Sequence, residues 1–133
     1  MNLHLRKISG YPFNKDMETE IVIKALEDAS LKRELLNNCM VHTDLGSQYT
    51  SAEYEKRLKE LGISHSYSCK GCPYDNAGIE SFHASLKKEH VYQRSTYSMF
   101  EETKTQLFSY VQGFYATRKI HRALAYLTPS QLE

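Results

Sequence analysis

The sequence lacks the features that mark membrane and exported proteins. It contains no run of 18 apolar residues, so no segment predicts a transmembrane helix, and no signal peptide is visible at its start. Its 17 Lys and Arg residues almost balance its 16 Asp and Glu residues, which excludes the strong overall positive charge that drives nonspecific binding to nucleic acid. We therefore expect a cytoplasmic protein with no membrane partner.

Cysteine is also scarce. The three cysteines are Cys39, Cys69 and Cys72, and an odd count in a chain without an export signal argues against a disulfide framework. Cys69 and Cys72 have the spacing of half a zinc site, but no second Cys or His pair at finger spacing completes a set of four ligands. The sequence alone therefore does not predict zinc.

The 133 residues are enough for one domain with a sizeable core. Apolar periodicity predicts strands at residues 5–13, 39–43 and 63–67, the second of them buried. It predicts helices that begin after Asp16, at about 51–61, at 75–91 and at 98–118, with the first turn of another helix at 128–131. Thr50 and Glu53 have the spacing of a capping box, and Gly62 predicts the end of that helix. The loop 69–76 contains Gly71 and a proline, which predict mobility.

Two carboxylates stand at informative places in this pattern. Asp44 follows the predicted strand 39–43 and precedes a turn that contains Gly46, while Glu80 lies in the first turns of the helix predicted from residue 75 or 76. Carboxylates presented in this way can converge on divalent cations, because Mg²⁺ prefers oxygen ligands. An isolated Asp and Glu are more often simply solvated, so the interpretation depends on the flanking residues.

Several segments around these carboxylates, and others further along the chain, have a recognisable pattern. They are His42–Ser51, Tyr74–Ala77, Ile79–Phe82, Ser85–Lys87 and Tyr126–Pro129, with a weaker match at Leu3–Gly10. In content and order they resemble the DDE transposases of bacterial insertion sequences, whose catalytic core is related to retroviral integrase. The family pattern places 35 residues between its second Asp and its Glu, and the interval from Asp44 to Glu80 fits it. The resemblance covers nearly the whole chain.

This resemblance implies an α/β fold of the RNase H-like type, the integrase catalytic core, lacking its first two strands and followed by C-terminal helices. Residues 1 to about 95 would form the partial core, and about 98–133 the helical part. In the family the first catalytic Asp lies on the first strand, a position that would fall before Met1, and Asp16, Asp28 and Asp75 do not replace it. A parallel pair of strands without the centre of its sheet is expected to be marginal.

The resemblance also implies metal-dependent cleavage and transfer of DNA strands, with Asp44 and Glu80 as catalytic residues and as ligands of Mg²⁺ or Mn²⁺. Two ions about 4 Å apart serve such in-line displacements, so we expect the two carboxylates within roughly 8 Å of each other, across the end of the strand 39–43. Without the first Asp as a bridge between the ions, we expect weak metal binding and no activity from this chain alone.

Six residues are candidates for DNA contact by the same resemblance. They are Tyr74, Asn76, Lys87, Arg118, His121 and Arg122. Explanations without DNA remain open: the basic residues could form a solvated helix face, and Asn76 could be a helix N-cap. On a continuing helix the basic residues 118–122 would spread around more than half of the circumference, so some must face water or phosphate. Ala116 and Ala125 replace an Asn and a Gly that are usual in the family, which weakens the case for specific recognition of transposon ends.

Three functions remain open at this point. The first is a transposase fragment of the DNA-integration class, inactive alone, whose missing part could be made in another reading frame. The second is a noncatalytic protein that binds DNA, or joins oligomers of an intact relative and inhibits it. The third is an α/β remnant without a function. The expected partners are DNA, at transposon ends and target sites, and further copies of this chain or an intact transposase.

Overall fold

The computed structural model describes residues 1–13, 19–32, 39–69, 72–91 and 100–133. The chain forms two compact units. We call residues 9–77 the sheet unit, and residues 1–8 together with 78–133 the helical unit. The boundary near residues 95–98 that the resemblance implies stays a prediction.

The sheet unit follows the predicted order of helix, strand, helix and strand. Its elements are α1 (Thr19–Lys32), β1 (Met40–Thr43), α2 (Ala52–Glu60), β2 (Ser64–Tyr67) and a 3₁₀ helix at Pro73–Asn76. The two strands pair in parallel, with Met40 opposite Ser64 and Thr43 opposite Tyr67. Because parallel strands need a crossover connection, α2 lies between them in sequence. The predicted parallel pair is confirmed, although β1 is less buried than predicted, since Met40 is 65% exposed.

An apolar cluster holds the sheet unit together. Its buried members come from α1, α2 and the start of β2, and they are Leu26, Tyr54, Leu58 and Ile63. Leu58 is the most enclosed of them, with 1% of its surface exposed. Arg57 joins the two helices beside this cluster, because its guanidinium lies 2.9 Å from Glu27 of α1 and 2.9 Å from Glu60 of α2.

The ends of α2 show how local sequence sets the helix. Ser51, not Thr50, is the N-cap, and its hydroxyl accepts a hydrogen bond from the Tyr54 N–H at 3.3 Å. The predicted capping box is wrong by one residue, because a helix that begins at Ala52 has Tyr54, which has no carboxylate, at its third position. The predicted stop is confirmed: Gly62 has φ of 66°, a conformation that glycine adopts without a steric cost.

Residues 5–13 do not form the predicted strand. A strand needs a neighbour to accept its backbone hydrogen bonds, and the sheet of the described residues consists of β1 and β2 alone. Within this segment, Gly10 packs against α1. A Cβ on Gly10 would lie 2.1 Å from the Ala25 carbonyl oxygen, so this close approach of two backbones requires glycine. The predicted cap at Asp16 lies outside the described residues.

The helical unit contains two longer helices that end in wide turns. They are α3 (Ala77–Leu86), which continues as a π-helical turn at Lys87–Val91, and α4 (Phe100–Phe108), which continues as a π-helical turn at Ser109–Tyr115. The described part of the unit also contains a 3₁₀ turn at Arg122–Leu124 and the short α5 (Pro129–Leu132). None of the helices within the described ranges is long and apolar enough to cross a membrane.

Aromatic side chains form the core of the helical unit. Phe82 and Tyr115 meet edge to face with their ring centroids 4.9 Å apart, and Tyr110 is also buried. The apolar pattern of the helix predicted at 98–118 places Phe114 on its buried side with Phe100, Leu107 and Val111. For Phe114 this prediction is wrong, since 40% of its surface is exposed. The π-helical turn explains the difference: its i→i+5 hydrogen bonds widen the turn and shift the buried face by one position relative to an α-helix.

The predicted start of α5 is confirmed in full. The Thr128 hydroxyl accepts a hydrogen bond from the Gln131 N–H at 3.3 Å, and the Gln131 side-chain oxygen accepts one from the Thr128 N–H at 2.9 Å. This is a reciprocal capping box, with Pro129 at the first helical position, where its missing N–H costs nothing.

We expect Leu58→Ala to lower the free energy of unfolding by about 2–5 kcal/mol, because it leaves a cavity in the cluster of the sheet unit. Leu31→Ala is the matched control: Leu31 lies on α1 with 85% of its surface exposed, so its truncation should cost less than about 0.5 kcal/mol. Urea unfolding followed by circular dichroism measures both. Equal losses for the two variants would contradict the assignment of the core.

Candidate metal and DNA-binding site

Asp44 stands at the carboxyl end of β1, as predicted. Its side chain is exposed, and its Oδ1 accepts a hydrogen bond from the Gly46 N–H at 2.9 Å. The turn that follows is closed by a hydrogen bond from the Tyr49 N–H to the Gly46 carbonyl oxygen at 3.0 Å. The Asp44 carboxylate is therefore oriented by the local backbone and open to solvent.

A chain of polar contacts leads to Asp44 from α2. Glu55 Oε1 lies 2.6 Å from Nδ1 of His65, and Nε2 of the same ring lies 2.9 Å from the Thr43 hydroxyl. The hydroxyl in turn lies 3.0 Å from the Asp44 carbonyl oxygen. Because an ionised carboxylate only accepts hydrogen bonds, His65 donates to Glu55 through Nδ1. This polar chain of contacts fixes the backbone that presents the Asp44 carboxylate.

Glu55 is the charged end of this polar chain of contacts. Hydrogen bonds from the Tyr67 hydroxyl and from His65 hold the pKa of Glu55 below its usual value, so the carboxylate is ionised at neutral pH. The sequence pattern assigned Glu55 to a helix and His65 to strand alternation, and no local signal linked them, because they meet only when α2 packs against β2. His42, on the other side of β1, bonds Ser66 and Ser68 at 3.1 Å each.

Glu80 lies in the first turn of α3 and is exposed. With His83, Ala84 and Lys87 it lines an open concavity of about 490 Å³, and all four residues are exposed. Burial, and then the nearby Lys87 ammonium, lower the pKa of His83. The concavity therefore presents one carboxylate, one ammonium group and a neutral imidazole at neutral pH.

The two carboxylates belong to different units of the chain. Asp44 lies in the sheet unit and Glu80 in the helical unit. Each is exposed and placed on the element that the sequence predicted, at a strand end and in the first turn of a helix. Their approach to within about 8 Å of each other stays a prediction, and it follows from the spacing of two ions about 4 Å apart.

The candidates for DNA contact before and on α3 differ in exposure. Tyr74 has 88% of its surface exposed, on the 3₁₀ helix Pro73–Asn76. Asn76, the last residue of that helix, is half-buried, and Lys87 is exposed on the wall of the concavity. The loop predicted at 69–76 thus contains a short helix that begins with Pro73, a residue favoured at the first helical position.

The C-terminal basic segment does not continue as a helix. Helical structure ends at Tyr115, and the chain folds back so that the His121 N–H donates to the Leu127 carbonyl oxygen at 3.0 Å. Ala125 and Tyr126 in this loop have φ of 51° and 63°. The assumption of a continuing helix over 118–122 is therefore wrong: the hydrogen bonds of the preceding helix end with the Arg118 and Lys119 N–H groups, which both donate to the Phe114 carbonyl oxygen, and Arg122 begins a separate 3₁₀ turn.

The basic side chains of this segment separate into two groups. Arg118 and Arg122 are exposed. Lys119 is paired with Glu89, and the His121 ring lies 5.0 Å from Tyr115. Burial, and then the charge of Lys119, lower the pKa of His121, and its Nε2 is enclosed without a hydrogen-bond partner among the described residues. The two arginines are thus the accessible cations of this segment.

An aromatic residue that the sequence interpretation did not single out lies near these arginines. Tyr126 has 63% of its surface exposed, in the loop closed by the hydrogen bond between His121 and Leu127. The only sequence signal was the match at Tyr126–Pro129, which carries no information on exposure. Tyr126 follows Arg122 by four residues, and exposed aromatic rings together with exposed basic groups are the features that bind flexible nucleic-acid strands.

Comparison with known proteins identifies the family. Two sequence profiles of the family described as integrase core domain match this chain, one at residues 1–73 and the other at residues 61–129. The chain belongs to the integrase core domain family. The family that the motifs around Asp44 and Glu80 predict is thereby confirmed.

Relatives in sequence are transposases of insertion sequences. The chain is 37% identical over 128 residues to the transposase for insertion sequence element IS904 of Lactococcus lactis, and it covers 50% of that protein. It is 35% identical over 133 residues to the transposase InsF for insertion sequence IS3A of Escherichia coli strain K12, of which it covers 46%. The chain therefore spans about half the length of the curated relatives it matches.

Solved structures share the fold of this chain. A chain of the simian T-cell lymphotropic virus intasome in complex with PP2A regulatory subunit B56 gamma matches with a TM-score of 0.63 at 20% identity, over 90% of this chain and 41% of that one. The catalytic core domain of BIV integrase matches with a TM-score of 0.58 at 18% identity, over 90% of this chain and 72% of that one. The predicted RNase H-like fold class is confirmed.

We expect the free energy of unfolding of this family member to fall as the pH falls below the usual range of carboxyl groups. The pKa of Glu55 is lowered by Tyr67 and His65. Burial alone would raise the pKa of Glu89, but hydrogen bonds from Lys119 and Tyr110 hold it below its usual value. A carboxyl group of this kind stabilises the fold above its unfolded pKa, and that contribution is lost as the pH falls through the folded pKa.

Urea midpoints measured from neutral to acidic pH test this expectation. The double variant Glu55→Gln, Glu89→Gln should give a flatter pH profile than the natural chain, because the two linked groups are gone. Glu53→Gln, at an exposed position of α2, should leave the profile unchanged. A natural profile that is already flat, or one unaltered by the double substitution, would show that these two groups do not carry the acid sensitivity.

Proposed function

We propose that this chain supplies two carboxylates, Asp44 and Glu80, to a metal-dependent site that transfers DNA strands in the transposition of an insertion sequence. The observation that carries the proposal is similarity to insertion-sequence transposases along 96% and 100% of the chain. The exposed positions of the two carboxylates, at a strand end and at a helix start, are compatible with this role.

The donor set of the two residues fits a hard divalent cation. Carboxylate oxygens are the ligands that Mg²⁺ and Mn²⁺ prefer. When bound, such ions activate the attacking oxygen and stabilise the leaving oxygen of the phosphodiester. In the proposal, Asp44 holds one ion through a carboxylate oriented by the Gly46 N–H, and Glu80 holds the other from α3. The polar chain of contacts from Glu55 through His65 to Thr43 keeps the Asp44 backbone in place.

Positive charge near Glu80 suits a DNA phosphate. Lys87 lines the same concavity as Glu80, and we assign its ammonium group to a phosphate of the bound strand. The His83 imidazole between them is neutral at neutral pH, because its pKa is lowered, so it adds no competing charge. Tyr74 and Asn76 would meet the strand from the segment before α3, where the exposed ring offers a stacking surface for a base.

The exposed arginines of the C-terminal segment form a second candidate contact. Arg118 and Arg122 would bind phosphates, and Tyr126 would stack on an unpaired base. His121 supports the segment from inside, through its ring contact with Tyr115. Further copies of this chain or an intact transposase are the protein partners in this proposal, because the resemblance to DDE transposases implies action as a multimer.

We expect residues 1–133 alone to show no strand transfer with Mg²⁺ or Mn²⁺, because the family mechanism uses three carboxylates and this proposal assigns two. An oligonucleotide joining assay compares residues 1–133 with a polypeptide extended upstream through the two strands that carry the third. In the extended polypeptide, Asp44→Asn and Glu80→Gln should each lower joining by orders of magnitude.

Matched controls for these substitutions are Asp28→Asn on α1 and Glu53→Gln on α2, which change the same groups at positions outside the proposed site. Both should keep joining near the level of the parent polypeptide. Metal-dependent joining by residues 1–133 that Asp44→Asn abolishes would show that another residue of this chain completes the site. Full activity of the extended Asp44→Asn and Glu80→Gln variants would refute the assignment.

A second candidate function is noncatalytic binding of DNA that regulates an intact transposase. The observation that favours it is the exposure of Arg118 and Arg122 on a segment apart in sequence from both carboxylates, because such a segment can bind DNA without chemistry. The two functions are distinguished by the extended polypeptide: joining supports the first, and DNA binding with inhibition of an intact relative, but no joining, supports the second.

We expect the Arg118→Ala, Arg122→Ala double variant to bind DNA of any sequence more weakly. Each phosphate contact contributes about 0.9 to the slope of log affinity against log salt, so the slope should fall by about two. Lys56→Ala, Lys59→Ala is the matched control, because it removes the same charge from exposed positions of α2.

Fluorescence anisotropy with a labelled duplex at several salt concentrations gives both slopes. If the double substitution leaves the slope of log affinity against log salt unchanged, the DNA-binding surface lies at Lys87 and its neighbours instead. If circular dichroism shows that residues 1–133 are folded but they do not bind DNA at low salt, the proposal that DNA is a partner is contradicted.

A further inference from the structure

Three side chains with metal-binding atoms meet in the segment between β2 and α3. Cys69, Cys72 and Asp75 each offer one ligand atom, and these atoms all lie within 4.8 Å of one another. The cluster lies within the sheet unit, and all three residues are exposed. None of them takes part in the site proposed above.

The backbone explains why these residues meet. The Cys72 N–H donates to the Cys69 carbonyl oxygen at 3.1 Å, and the Asp75 N–H donates to the Cys72 carbonyl oxygen at 3.3 Å. Two successive i→i+3 turns have three residues per turn, so every third side chain points to the same side. The Asp75 carboxylate is held there by the Cys69 N–H, at 3.1 Å from Oδ2.

We propose that Cys69, Cys72 and Asp75 bind one Zn²⁺ ion through two thiolate sulfurs and one carboxylate oxygen. Zinc takes Cys sulfur at about 2.3 Å and carboxylate oxygen at about 2.0–2.2 Å in tetrahedral geometry. Two sulfurs on one such ion lie about 3.8 Å apart. Starting from ligand atoms within 4.8 Å of one another, small side-chain rotations close the site.

The sequence pattern did not predict this metal site, because it did not reveal the third ligand. A Cys-x-x-Cys pair without a second pair does not complete four ligands, but Asp75, three residues further on, supplies a third. Three protein ligands leave one tetrahedral position for water or for a ligand from another molecule. Thiolates select a soft or borderline ion such as Zn²⁺, whereas the oxygen donors Asp44 and Glu80 suit Mg²⁺ or Mn²⁺. The chain therefore offers two sites that different ions occupy.

Metal binding would stabilise the loop that contains Tyr74. This residue lies between Cys72 and Asp75, so an ion bound to both closes a loop around it. Because ions that bind only the folded loop stabilise it by mass action, added Zn²⁺ should protect the bonds around Tyr74 from proteolysis. This expectation concerns the backbone of the loop and does not depend on the proposed transposase function.

Cobalt is the probe for the test, because Co²⁺ replaces Zn²⁺ in tetrahedral sites and reports thiolate ligands by a charge-transfer band. We expect reduced residues 1–133 to bind one Co²⁺ with this band, Zn²⁺ to displace it, and Mg²⁺ to leave it unchanged. Cys69→Ser and Cys72→Ser should each abolish the band or strongly reduce it. Asp75→Asn should weaken affinity by about tenfold or more.

Cys39→Ser is the matched control, because Cys39 lies before β1 and outside the cluster, and it should keep both the band and the affinity. The proposal would be overturned by the absence of a cobalt–thiolate band in a reduced, folded chain. It would equally be overturned by a band that survives Cys69→Ser together with Cys72→Ser, or by a disulfide between these cysteines that persists under reductant.

Discussion

Parallel pairing between β1 and β2 is the constraint on which the chemistry of the sheet unit depends. Side chains alternate between the two faces of a strand, so the observed register brings Thr43 and His65 together on the side of α2, where Glu55 meets them. On the other side, His42 bonds Ser66 and Ser68. A shift of one residue would exchange the faces and separate the polar chain that ends at Asp44.

The helical unit depends on a different constraint, the burial of aromatic rings behind wide helical turns. Glu89 accepts hydrogen bonds from Tyr110 and Lys119, which ties the end of α3 to the π-helical turn after α4 and to the segment that follows it. Because Lys119 and His121 are engaged inward, Arg118 and Arg122 are left facing solvent. The interior of the unit thus decides which cations are available to an anionic partner.

Much of the candidate site could be predicted because its signals are local. Asp44 after a strand, Glu80 in the first turn of a helix, and the shared face of Glu80 and Lys87 follow from periodicity within a few residues. The predictions failed where the determining contact lies elsewhere. Residues 5–13 have no partner strand among the described residues, and the π-helical turn moves Phe114 from the buried to the exposed side of its helix. The capping box at Thr50 failed by a single residue, which is the usual uncertainty of helix ends.

The sequence by itself determined the family, the order of the elements from α1 to β2, the placement of Asp44 at a strand end and of Glu80 in the first turn of a helix, and the capping of α5, since each depends on short motifs or on neighbouring residues. The meeting of Asp75 with Cys69 and Cys72 is local as well, because two successive turns within one segment produce it. Only the tertiary structure decided that Glu55, His65 and Thr43 form one polar chain and that His121 lies against Tyr115. These contacts depend on strand register, on the packing of α2 against the sheet and on the burial of rings. Such constraints arise when the chain folds back on itself, and no short segment of sequence encodes them alone.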